Sequence, residues 1–269
     1  MKRKNTVLVI LLTCLVFLSA ALLGVSSVYR IDEVTLKPTV ISAAAKEETA
    51  ELQQRLQKAY EKQSTFSVKK AEAEEIMKEF PYFRMTSFKK VYPNLIVVKV
   101  TEDKEMFAVP AAETENAYYI VSKDGVVLGI RNSYENRFDG ANNLLIKGLT
   151  VTGKQGETLL GDGLVAPLLR FCEKADELLG GIRRNVVSIE VLRMTSDESD
   201  TMIRVNTQEG VKIYVRNVAD YAEDKAKTAF EKYLSLTDVQ RMEGRIAVSG
   251  QSGVTIATYS QEDEFDVFS

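Results

Sequence analysis

The sequence predicts an α+β protein with a single N-terminal transmembrane helix, a first module ordered strand-helix-helix-strand-strand, and a second, mixed β module whose helices lie on an antiparallel-rich sheet. Three observations carry this. Residues 6–28 form an almost unbroken apolar run. Beyond it, stretches with helical spacing alternate with stretches of period-two apolar pattern. The roughly 240 residues after the run exceed one comfortable small core, so two modules are expected.

The apolar run is long enough to cross a hydrocarbon core of roughly 30 Å as one helix at about 1.5 Å per residue. Lys2, Arg3 and Lys4 precede it, and Arg30, Asp32 and Glu33 follow it. This asymmetry holds residues 1–5 in the cytoplasm and sends the rest of the chain across the cell membrane. The competing reading is a cleaved signal peptide, for which Ser19, Ala20 and Ala21 supply small residues. Apolar character resumes at Leu22, Leu23 and Val25, which favours a retained anchor.

Composition restricts the chemistry. The chain of 269 residues has no histidine and two cysteines, Cys14 and Cys172. Histidine-based general bases, Ser-His-Asp triads and His-rich metal sites are therefore excluded. No catalytic, cofactor or metal residues are expected, and a bridge between a cysteine in the bilayer and one outside it is implausible. A net charge of -3 with interspersed signs offers no footprint for nucleic acid.

The first module is expected over 29–102. Residues 28–36 read as a short strand limited by Pro38. Over 47–63, Leu52, Leu56, Ala59 and Tyr60 share one helical face, with Glu51 and Arg55 paired on the surface. A second helix has Ser67 as N-cap and Ala73, Ile76, Met77 and Phe80 as its apolar stripe, and Pro81 closes it. Residues 83–92 and 95–101 read as strands joined at Pro93-Asn94, with Ile96, Val98 and Val100 alternating against Val97, Lys99 and Thr101.

The element order, with Phe80-Pro81-Tyr82-Phe83 and the segment from Pro93-Asn94 to Glu102, resembles a POTRA domain. Placed after an N-terminal apolar run, it is similar to the bacterial cell-division family FtsQ/DivIB. The chain departs from that family's pattern at Lys90, at Glu102-Asp103-Lys104-Glu105 and at Ile246-Ala247-Val248-Ser249.

The second module, expected over 103–260, continues the resemblance. Residues 118–122 and 126–130 flank Lys123-Asp124-Gly125 as a hairpin. Residues 144–149 form a short apolar segment ending near Gly148. Residues 164–179 read as a helix that tolerates Pro167 in its first turn and ends at Gly180-Gly181. Strands follow at 186–193, 201–206 and 211–215. The last helix, over 219–236, carries Ala222, Ala226, Ala229, Phe230 and Tyr233 on one face. Strands at 245–249 and 254–259 flank Gly250-Gln251-Ser252-Gly253, and 261–269 is an acidic tail.

Motifs with a chemical reading have stronger structural ones. Residues 148–154 match Gly-x-x-x-x-Gly-Lys, but Gln155 stands where a P-loop has Ser or Thr, and the segment follows an expected membrane anchor, whereas a P-loop belongs in a strand-to-helix turn of a cytoplasmic α/β fold. Ser252 lacks a histidine to activate it. Asp197, Glu198 and Asp200 lack the glycine and terminal glutamate of a calcium loop. All three read as turns or loops.

The terminal strand is the candidate site. If it lies at a sheet edge, its backbone can accept a strand from another chain. The resemblance implies that use by FtsL-type and FtsB/DivIC-type coiled-coil division proteins, in support of the septal peptidoglycan synthase. The partner-binding residues so implied are Val254, Thr255, Ile256, Ala257, Thr258 and Tyr259, together with Ala222, Phe230 and Tyr233 on the last helix. The expected function is a non-enzymatic scaffold at the division septum. The alternative is a POTRA-type transport or secretion accessory that binds extended polypeptides by strand addition.

Overall fold

Buried apolar side chains fall into two separate sets, one drawn from Ile31 to Val100 and the other from Phe107 to Val248. The computed structural model describes residues 11–19, 24, 27–39, 42–112, 114, 116–193, 201–251 and 254–262. It divides in sequence into two compact units, Met1–Asp103 and Lys104–Ser269. Each contains helices on a sheet, so the chain is α+β.

The membrane-crossing helix expected over 6–28 is not shown among the described residues. Among the described residues no helix is long and apolar enough to cross a membrane. Residues 11–19 are helical and exposed. At about 1.5 Å per residue they reach roughly half the thickness of a hydrocarbon core. Most of the remaining run lies outside the described residues.

In the first unit β1 (Glu33–Thr39), α1 (Ala43–Tyr60), α2 (Lys70–Met77), β2 (Phe83–Val91) and β3 (Leu95–Glu102) follow in order. The sheet order is β1-β3-β2, with β1 parallel and β2 antiparallel to the central β3. Ile96, Val98 and Val100 of β3 point into the core with Leu52, Leu56 and Tyr60 of α1 and Ala73 and Met77 of α2.

β1 runs through Pro38 rather than stopping before it, because β1 is an edge strand and its second side needs no N–H. α1 begins four residues earlier than its apolar spacing indicates. Ser42 caps it by accepting from the Ala45 amide at 3.1 Å. The buried Glu102 carboxylate, at the end of β3, accepts from the Ser42 amide (3.0 Å) and hydroxyl (2.6 Å). A carboxylate here satisfies an otherwise orphaned amide and complements the positive end of the helix dipole. α2 starts at Lys70, and Ser67 sits in the preceding turn instead of at the cap.

The second unit contains β4 (Glu105–Pro110), β5 (Tyr118–Ser122), β6 (Val127–Arg131), β7 (Leu144–Lys147), β8 (Val151–Thr152) and β9 (Leu160–Gly161). α3 (Val165–Leu179), α4 (Ile182–Asn185), β10 (Val186–Arg193), β11 (Thr201–Thr207) and β12 (Lys212–Arg216) come next. α5 (Ala222–Leu234), α6 (Asp238–Met242), β13 (Arg245–Gln251) and β14 (Val254–Ser260) complete it. Its main sheet has nine strands in the order β14-β13-β12-β11-β10-β7-β4-β5-β6. The pairs β4/β7, β7/β10 and β12/β13 are parallel and the others antiparallel, so the sheet is mixed.

Register gives this sheet two unlike faces. Ile146, Ile189, Val205, Ile213, Ile246 and Tyr259 are paired in sequence across six strands. The adjacent row is Lys147, Glu190, Arg204, Tyr214, Ala247 and Thr258. Paired residues point to the same side and neighbours along a strand to opposite sides, so the first row is one apolar face and the second the polar one. α3 covers the apolar face over Phe107, Val121 and Ile146, and α5 covers it over β12, β13 and β14. The two helices meet with the Phe171 and Phe230 rings 5.9 Å apart.

Replacing Glu102 with alanine removes the acceptor from a buried N-cap. We expect a loss of about 1–3 kcal/mol in chemical denaturation, with faster amide exchange in the first turn of α1. Tyr60 supplies a pH test. Its hydroxyl donates to the Lys69 carbonyl at 3.0 Å. Burial, helped by the nearby Glu72 carboxylate, pushes its pKa from 10.0 to about 12. The folded chain therefore holds this proton after the unfolded chain has released it. Tyr60 contributes its full stability below pH 10 and loses it between pH 10 and about 12. Tyr60→Phe should flatten the stability profile in that window.

Candidate functional site

β14 is the last strand of the nine-stranded sheet, so it pairs with β13 on one side and with no strand on the other among the described residues. Its register with β13 runs without a shift from Arg245↔Ser260 to Gln251↔Val254. On the polar face Val254 is 66% and Ile256 61% exposed, and Thr258 is exposed beside them. On the other face Thr255, Ala257 and Tyr259 are half-buried. The Thr255 and Thr228 hydroxyls hydrogen-bond, Ala257 and Tyr259 pack on the core, and the Tyr259 hydroxyl donates to the Glu243 carbonyl at 3.3 Å. α5 thus fixes one face of β14 and leaves the other in solvent.

The opposite edge is different. β6 is met by the segment before β9, where the Val127 amide donates to the Glu157 carbonyl (2.9 Å) and the Gly156 amide to the Val127 carbonyl (2.8 Å). A bridge between Val126 and Thr158 extends this cover. This cover blocks the β6 edge at its first residue, Val127, whereas no such cover is seen along β14 among the described residues.

The expected helix residues lie elsewhere. Ala222, Phe230 and Tyr233 are buried in the core beneath α5. The Phe230 and Tyr233 rings are 6.4 Å apart, and the Tyr233 hydroxyl donates to Glu209 at 2.5 Å. Burial and that carboxylate push the Tyr233 pKa up. The guanidinium of Arg241 lies 5.4 Å from the ring centroid. These side chains support the sheet from beneath, while Glu223, Asp224, Lys227 and Glu231 form the solvent side of the helix.

Lys225 is a positioning residue that sequence reasoning missed. It is buried, and its ammonium donates to the carbonyls of Arg216 (3.0 Å) and Asn217 (2.6 Å) at the end of β12. Burial pulls its pKa down, with Asp220 opposing. Asn217 and Tyr221 adopt φ values of 50° and 58° in the same link, which delays the start of α5 to Ala222. The signal was in the spacing: Lys225 falls three residues after Ala222 and four before Ala229, on the apolar face.

Other polar clusters are structural. The buried Glu105 carboxylate accepts from Arg131 (2.9 Å), Asn143 (3.0 Å) and the Arg137 amide (3.1 Å), and so ties β4 to β6 and the 133–143 loop. Both cysteines are free; Cys172 is buried and burial pushes its thiol pKa up, away from a reactive thiolate. Residues 148–155 pass from the end of β7 through β8, with Gly148 at φ +81° where a Cβ would strike the Val191 carbonyl. That is not the strand-to-helix turn of a P-loop. Asp197, Glu198 and Asp200, with Ser252, lie outside the described residues, as do residues 263–269 of the acidic tail.

No family model matches the chain, and no curated protein matches it.

Replacing Lys225 with methionine keeps the volume but strips two carbonyls of their donor. A loss of about 1–3 kcal/mol in denaturant titration is expected. The effect should appear first as faster amide exchange in β14, which α5 supports.

Proposed function

We propose that this protein is a non-enzymatic scaffold of the bacterial division machinery. It recruits or stabilises FtsL-type and FtsB/DivIC-type coiled-coil partners for septal peptidoglycan synthesis. The observation that carries this reading is the uncovered β14 edge with Val254 and Ile256 exposed beside it. An extended partner segment pairs with the free N–H and C=O groups of β14, and the outward side chains select which segment fits. The α5 contact through Thr228 and Thr255 holds the strand in place before the partner arrives. Less ordering entropy is then lost on binding. Ala222, Phe230 and Tyr233 contribute by supporting this support, from within the core.

The test is the double substitution Val254→Lys and Ile256→Lys. Both side chains face solvent, so folding stability should change by no more than about 0.5 kcal/mol at each site. Binding of the purified coiled-coil partners should fall by at least about tenfold. A cytoplasmically expressed N-terminal fluorescent fusion should form a midcell band at constriction, and the double variant should lose it. Retained partner binding would sink the proposal. Equal binding of unrelated extended peptides would move the transport accessory to first place.

A further inference from the structure

Three aromatic rings from separate stretches of the first unit meet at its surface. The Tyr29 and Phe66 centroids are 4.7 Å apart, Phe66 and Tyr92 5.3 Å, and Tyr29 and Tyr92 6.2 Å. Their placement is built from beneath by Thr65, which is fully buried. Its amide donates to the Tyr29 carbonyl at 2.8 Å, and its hydroxyl proton is shared between the Tyr29 (2.9 Å) and Pro93 (2.5 Å) carbonyls. One side chain therefore ties together the three segments that carry the rings.

Yet this cluster is not core. Phe66 remains 61% and Tyr92 55% exposed, and Val28 and Val91 beside them in sequence are exposed as well. A contiguous exposed apolar patch on a rigid frame marks a contact surface. Two cations border it: the Lys90 ammonium donates to the Phe66 carbonyl at 3.3 Å, and Arg30 is exposed next to Tyr29 in sequence, while the exposed Asp32 carboxylate two residues on is engaged by the Asn94 amide at 2.6 Å.

The sequence that leads into the patch points to the occupant. Residues 11–19 form a helix whose Leu11, Leu12, Leu15, Val16, Phe17 and Leu18 are all exposed. A helix apolar on every side suits an apolar medium, and the apolar run continues to Val28, the residue before Tyr29. We propose that the Tyr29, Phe66 and Tyr92 patch rests in the interfacial layer of an anionic lipid bilayer. The rings lie at headgroup level and Arg30 and Lys90 face the lipid phosphates. The contact requires only the interfacial layer, not a helix that crosses it.

The chain has no tryptophan, so Phe66→Trp creates a single fluorescent reporter in the full-length protein. On vesicles containing phosphatidylglycerol its emission should shift to the blue, and acrylamide quenching should fall by about twofold or more. Lipids brominated near the headgroup should quench it. Tyr92→Trp serves as an independent reporter should the first substitution disturb folding, and Tyr221→Trp in the second unit should stay open to acrylamide. Failure of the chain to float with vesicles overturns the proposal, as does flotation with both patch reporters still aqueous. Protection that requires a purified protein partner and no lipid overturns it too, in favour of a protein-docking patch.

Discussion

The row Ile146–Ile189–Val205–Ile213–Ile246–Tyr259 is the constraint on which the second unit depends, because each of its members is paired to the next across a strand boundary. A slip of one residue in any strand would turn that strand's apolar set to solvent and bring its polar set beneath α3 and α5. In β11 the cost would fall on Arg204, which pairs with Glu190 on the polar face. The helices reinforce the same register from above through Phe171 and Phe230. The position of β14 follows, since Tyr259 closes the row and Ala257 packs on the same core.

The two units solve the same local problem in different ways. Where a chain leaves a strand and enters a helix, backbone groups at the junction need partners away from water. In the first unit a carboxylate, Glu102, supplies the acceptor for Ser42 at the start of α1. In the second an ammonium, Lys225, supplies the donor for the carbonyls that leave β12. Both charged groups are buried. Each is tolerable there because the backbone dipoles it faces take the place of water.

Much of this fold was legible because the apolar spacing is regular. Ile96, Val98 and Val100 announce β3, and Ala226, Ala229, Phe230 and Tyr233 announce α5. What escaped had no such period. β4 was missed because Phe107, Ala108 and Val109 form a continuous buried run between β5 and β7 rather than an alternating one. α6 was missed because it is short, with no buried residue, and rests on a capping box of Thr237 and Gln240. Start points shifted where distant groups decided them, as Glu102 does for α1. For the candidate site, the terminal strand was readable from sequence, whereas which of its residues, Val254 and Ile256, face solvent was not. That Phe230 and Tyr233 face inward was also implied by their apolar stripe, whereas the cover over β6 depends on a nonlocal loop and left no pattern.

The bonds that residues 156–158 make to Val126 and Val127 leave the two ends of the sheet unlike, which bears on how copies of this chain can join. A sheet with two bare ends could stack head to tail without limit, as fibrils do. A β14 edge can meet another β14 edge, and an antiparallel pairing of two identical strands has a twofold axis. Self-association through two β14 edges terminates at two copies, and any heterologous strand that occupies β14 abolishes it by competition.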